Sequence, residues 1–139
     1  MLWNGELVLE NHYVLSGETR LSDFMQSPLY SNQKTHKQFW LDRPYEIEGH
    51  LFAIGVYFTE ALLSNITLYC RDKQFEGGNT SWETLDLAEE LKAQEQRKRF
   101  HDEFIKQHLQ TDTSKKHPSV SASVDSRNVN LAQISIAYR

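Results

Sequence analysis

The chain has 139 residues, of which 39% are hydrophobic, 24% charged and 12% aromatic, with one cysteine and a formal charge of −4. A chain of this length forms one domain and buries roughly two-thirds of its unfolded surface without a disulfide framework or structural metal; a single cysteine excludes an intramolecular disulfide, and no apolar run approaches the roughly 20 residues of a membrane helix. Ten Asp and Glu against six Lys and Arg fall in residues 1–78 and nine of each in 79–139, so the acidity belongs to the first half and argues against phosphate-backbone binding.

Met1-Leu2-Trp3-Asn4-Gly5-Glu6 lacks the basic and apolar regions of a signal peptide, so the expected address is the cytosol, with no membrane partner. Leu2 through Leu9 and Tyr13-Val14-Leu15 supply one strand or a loose hairpin around Asn11-His12. Ser22 and Asp23 precede Phe24-Met25, and Ser27-Pro28 follows, a start and stop for a helical turn or two. Ser31 through His36 is polar and reads as a surface loop.

Gln38-Phe39-Trp40-Leu41 is a short aromatic strand, ended by Arg43-Pro44. From Glu46 to Phe58 the residues alternate as one strand, with Phe52, Ile54, Val56 and Phe58 on one face and Leu51, Ala53, Gly55 and Tyr57 on the other. Two apolar faces place it centrally in a sheet. A turn at Thr59-Glu60 leads into Leu62 through Arg71, completing an antiparallel hairpin.

After the breaker Glu76-Gly77-Gly78-Asn79, the segment Thr80-Ser81-Trp82-Glu83 has the form of a capping box. A long helix is expected over about 81–109, with Leu87 and Leu91 on one apolar stripe and Phe100, Phe104 and Ile105 on another. Pairs such as Glu95 with Arg99 and Asp102 with Lys106 support it. Its middle, Lys92 to Arg99, is polar all round and reads as solvent-facing or bent. Thr111 to Pro118 is a polar linker, and Val120, Ala122, Val124 followed by Ile134, Ile136, Tyr138 form a C-terminal hairpin with one buried face. The sum is a single α+β domain over 1–139, an antiparallel sheet of about five to seven strands with one long helix on a face.

Chemistry-bearing patterns are sparse. The six histidines have no metal-ligand spacing; His101 and His108 read as helix-surface residues, and no metal or cofactor is expected. Cys70 sits on an apolar strand face and reads as a buried small hydrophobe rather than a nucleophile. Gly77-Gly78 before a helix start would offer backbone N–H groups to an anion, but Glu76 and Glu83 flank it with like charge. Arg97-Lys98-Arg99-Phe100 and Lys115-Lys116-His117 are the basic clusters, and nearby acids favour a solvated helix over a nucleic-acid footprint. Asp125 and Arg127 straddle a turn and read as a turn cap and ion pair.

Phe24-Met25-Gln26-Ser27-Pro28, Val56-Tyr57-Phe58, Ser81-Trp82-Glu83, His101-Asp102, Val120 through Asp125 and Ile134-Ser135-Ile136-Ala137-Tyr138 follow one another in an order that resembles a family of small bacterial proteins of no settled activity. That family has a Trp-Gly where His117-Pro118 stands here, and a tyrosine where Val124 stands. The resemblance implies a small accessory protein, similar to immunity proteins that neutralise toxins delivered between bacteria, and not an enzyme. Nuclease toxins are commonly basic, and an acidic partner is steered to them. Glu46, Glu48, Glu60, Asp72 and Glu76 are the carboxylates expected to meet a cognate toxin, with Trp40 or Tyr45 as the hydrophobic anchor. Two other classes stand beside this reading: an adaptor or scaffold binding a peptide or its own copy through a strand edge, and a small enzyme using Asp125, Arg127 and a histidine.

Overall fold

The computed structural model describes residues 2–10, 12–35, 38–75, 87–125 and 131–139. These form strands β1 (Leu7–Val8) and β2 (Val14–Leu15), helix α1 (Leu21–Met25), then β3 (Tyr30–Thr35), β4 (Gln38–Leu41), β5 (Tyr45–Ile47), β6 (His50–Thr59) and β7 (Leu62–Cys70). A 3-10 turn at Lys73–Phe75, helix α2 (Leu87–His108), β8 (Ser119–Asp125) and β9 (Leu131–Ala137) complete the order. β1 and β2 make a separate hairpin, while seven strands form one antiparallel sheet: six run in the order β3-β4-β6-β7-β9-β8, and the seventh, β5, pairs with β6. The expected α+β architecture, with its long helix and C-terminal hairpin, is therefore present. The capping box at Thr80–Glu83 lies outside the described residues.

Two expectations for the strands change. Ser31 to Thr35 is not loop but most of β3, because a strand at the rim of a sheet can pair through its backbone without an apolar face. The segment Glu46–Phe58 is two strands, since Glu48 (φ 50°) and Gly49 (φ 82°) make a two-residue turn with both central residues at positive φ, the geometry that matches the right-handed twist of paired strands. That reversal puts Tyr45 opposite Phe52 and Glu46 opposite Leu51. β5 thus lies beyond β4 along the same side of β6, whose Val56 and Gly55 pair with Phe39 and Trp40.

One face of the sheet holds the core. Phe52, Ile54 and Val56 stand opposite Cys70, Leu68 and Ile66, and the last two stand opposite Ile134 and Ile136; all eight are buried. Burying each large side chain stabilises the fold by roughly 1.5–3 kcal/mol. Two aromatic groups fill the ends: Phe24 meets Tyr30, Phe39 and Phe58 at centroid distances of 5.9, 5.9 and 5.4 Å, and Phe104 meets Phe52 at 4.9 Å, with Phe100 against Phe75 at 5.3 Å. α1 delivers Phe24 and stops where the Ser27 hydroxyl donates to the Phe24 carbonyl and accepts from Leu29 N–H. The C-terminal strand is tied down: Tyr138 donates its backbone N–H to Ser64 and its hydroxyl to Gly5 O, and Arg139 donates to Gly17 O.

α2 is attached by polar side chains. Pairing of β7 with β9 ends at Leu68 and Ile134. Just beyond, His101 Nε2 accepts the Cys70 N–H at 3.0 Å and Gln94 Oε1 accepts the Ala132 N–H at 2.9 Å. Between them Arg97 donates to Gln94 and to the Phe75 carbonyl. Residues 94, 97 and 101 recur three and four apart, so they share one helix face with Phe104. His101 is therefore not a helix-surface residue but fully buried, and the polar middle of the helix is buried on that side while Leu91 is exposed. Asp102 pairs with Lys98 rather than Lys106.

Because its Nε2 accepts a hydrogen bond, His101 is neutral with its proton on Nδ1. Burial, reinforced by the Arg97 charge and only partly opposed by Asp102, lowers its pKa from 6.5 to about 4. The unfolded chain takes up that proton first, so this contribution is complete above about pH 6.5 and is lost as pH falls toward 4, up to roughly 3 kcal/mol. Urea unfolding across that range will show the loss, and His101→Gln will flatten it; an unchanged slope contradicts the assignment. At the β6–β7 turn, Glu60 (φ 51°) and Ala61 (φ 69°) are both left-handed without a glycine, held there by Leu21 N–H on Ala61 O. Ala61→Gly is expected to raise stability by about 0.5–1 kcal/mol in thermal unfolding.

Candidate functional site

The sheet face away from Phe104 carries the side chains of alternate parity. Glu46 stands opposite Leu51, Ala53 opposite Tyr69, and Gly55 lies between Trp40 and Thr67. Small residues at 53 and 55 leave room for their neighbours. A Cβ on Gly55 would come within 2.8 Å of the Gln38 amide, which crosses it to donate to Thr67 Oγ1 at 2.8 Å. Trp40 meets Tyr69 edge-on, with centroids 5.9 Å apart. Where β4 gives way to β5, Asp42-Arg43-Pro44 leaves the line of the strand and opens a cavity of about 350 Å³, lined by Trp40, Asp42, Arg43, Ala53, Tyr69 and Arg71 among others.

The anticipated partner residues separate into groups. Trp40 stands at the cavity, half-exposed, and Glu46 is exposed beside Leu51, itself 38% exposed. Tyr45 is not available as an anchor. It is 2% exposed on the core face, its hydroxyl donates to Asp42 at 2.5 Å, and Arg43 lies 4.0 Å over its ring. Burial first, and the Asp42 carboxylate second, push its phenol up to about 12.

Glu48, in the β5–β6 turn, is exposed and 3.8 Å from His108. Asp72 is structural: it accepts Leu51 N–H at 2.8 Å and pairs with His50 at 2.7 Å, fixing the start of β6. Burial works to raise its carboxyl, but the donors from Leu51, His50 and Cys70 outweigh it and hold the group below its ordinary value. Glu60 lies at the other end of β6, a strand of ten residues or roughly 30 Å, so it does not join Glu46 and Glu48. Glu76 lies outside the described residues.

That Asp42, Tyr69 and Arg71 share the cavity with Trp40 was not legible in the sequence. The signal present was the run of small residues at 53 and 55 on an otherwise apolar face, which marks side chains crossing from adjacent strands.

The other chemical candidates occupy the core or lie elsewhere. Cys70 is buried, and burial pushes its thiol up to about 12, far from a thiolate. Arg97 is buried and Lys98 is engaged by Asp102, so the basic run of the helix is not one continuous exposed face. Arg127, the Asp125 side chain and Gly77-Gly78 lie outside the described residues. Among the described residues no three His, Cys, Asp or Glu converge as metal ligands, and no helix is long and apolar enough to cross a membrane. No protein-family model, curated protein or solved structure matches the chain.

Asp72→Ala removes the acceptor of Leu51 N–H and the partner of His50, and is expected to cost about 1–3 kcal/mol in urea unfolding. A change below about 0.5 kcal/mol would show that the pair is exposed enough for water to replace it.

Proposed function

We propose that the chain is a non-enzymatic binding protein of the immunity type, which neutralises a basic toxin protein by covering it with the sheet face that carries Trp40. The observation that carries this reading is the Trp40–Tyr69 pair at a cavity on the face away from the core, rimmed by Asp42, Arg43 and Arg71 with Glu46 nearby. Aromatic and arginine side chains around a recess are what protein interfaces use as anchors. Carboxylates exposed at Glu46 and Glu48 supply attraction toward a basic surface, an effect on the association rate more than on the lifetime of the complex. The acidity of residues 1–78 agrees in sign.

Isolation of the native protein from its source cell tests this directly. An equimolar, salt-sensitive complex with a basic protein is expected. Trp40→Ala should weaken it by about 2 kcal/mol, roughly 30-fold, chiefly through faster dissociation. Glu46→Lys should slow association and reduce the salt dependence while leaving dissociation nearly unchanged. Recovery of the chain alone, or a complex indifferent to both salt and Trp40→Ala, contradicts the proposal.

A further inference from the structure

The two ends of the sheet are built differently. β3, at one end, has a register shift between Tyr30 and Gln33, a left-handed Asn32 and Lys34 in the strand. Bulges and lysines of this kind keep an edge from pairing with another chain. β8, at the other end, pairs with β9 through seven consecutive residues without a shift. From Ser119 to Val124 it has neither proline nor charge, and Ser119, Ser121, Ser123 and Val124 are exposed. Among the described residues no strand pairs with its outer side.

The sequence of β8, Ser119-Val120-Ser121-Ala122-Ser123-Val124-Asp125, reads nearly the same in both directions about Ala122. An antiparallel strand is paired with its own copy by a two-fold axis, and only a segment symmetric in character about that axis matches itself on both faces. With the axis at Ala122, Val120 of one chain stands opposite Val124 of the other, and Ser121 opposite Ser123. The valines extend the apolar face that β8 shares with Ile134 and Ile136, through Ala122 and Val120. The serines meet on the opposite face, where hydroxyl pairs stabilise cross-strand contacts.

Among the described residues, two large apolar side chains are left open at this end of the sheet. Val124 is 38% exposed; Leu91, one helical turn before the Gln94 that reaches Ala132, is 39% exposed. Ala132 is the cross-strand partner of Val124, so both lie where a second chain would cover them.

We propose that two copies of this chain pair through β8 in antiparallel register centred on Ala122, joining their sheets into one. This surface lies across the sheet from Trp40 and Glu46, so its test is independent of the proposed function.

Native mass spectrometry and sedimentation equilibrium at up to about 100 μM are expected to give twice the 16.3 kDa chain mass. The double variant Ser121→Lys/Ser123→Lys sets lysine against lysine across the axis and should be monomeric with an unchanged circular dichroism spectrum. Ser121→Lys/Ser123→Glu alters the same exposed positions but sets lysine against glutamate, and should remain dimeric. In the wild-type background, Ala122→Cys should form an intermolecular disulfide on mild oxidation, because directly opposed strand residues lie within bonding reach and Cys70 is buried. A monomeric wild type, a dimeric Lys/Lys variant, a monomeric Lys/Glu variant or the absence of the crosslink each overturns the pairing.

Discussion

The architecture depends on how the sheet is completed where two of its strands separate. β7 and β9 stop pairing after Leu68 and Ile134, and the next N–H groups, at Cys70 and Ala132, would be buried without an acceptor. A buried donor left unsatisfied costs about 1–3 kcal/mol, and here two helix side chains, His101 and Gln94, take the place of the missing strand. Arg97 between them reaches the Phe75 carbonyl and ties the 3-10 turn into the same seam. Once Gln94, Arg97 and His101 are fixed against the backbone, the helix has one rotation and one height, which delivers Phe104 onto Phe52 and Phe100 onto Phe75. Covering one face in this way leaves the other for Trp40, Tyr69 and Glu46.

The same seam explains what the sequence could and could not reveal. Alternation in β6, β7 and β9 was legible because each has one face in the core, and a period of two records that directly. The seam was not, because buried Gln, Arg and His look like solvent-facing residues to any reading that equates burial with apolarity. Their spacing of three and four in line with Phe104 was the available clue. Leu91 misled in the opposite sense, an apolar residue that is exposed. The polar strand β3 was hidden for a related reason: at a rim, backbone pairing needs no apolar side chain.

Parity explains the reassignment around β5. Read as a single strand, Glu46 and Glu48 share the face of Phe52, and Tyr45 shares that of Leu51. The two-residue turn at Glu48-Gly49 reverses both, sending Tyr45 into the core and Glu46 outward beside Leu51. One glycine thus decides which aromatic residue can act as an anchor, and it favours Trp40. Asp72 has the charge of a partner-facing residue, yet its acceptor capacity is used on Leu51 N–H and His50, a role visible only once the strand ends are placed.

The outer face and the β8 edge are both consequences of one-sided coverage, and both require that the seam hold β7, β9 and α2 together as a unit. Native-state hydrogen exchange at the amides of Cys70 and Ala132 measures this most directly. If the helix side chains are their acceptors, both amides exchange only through global unfolding, with the same free energy as the central residues of β6 and β7. Exchange at these two amides that is fast and independent of denaturant, like that of a frayed strand end, would contradict the account.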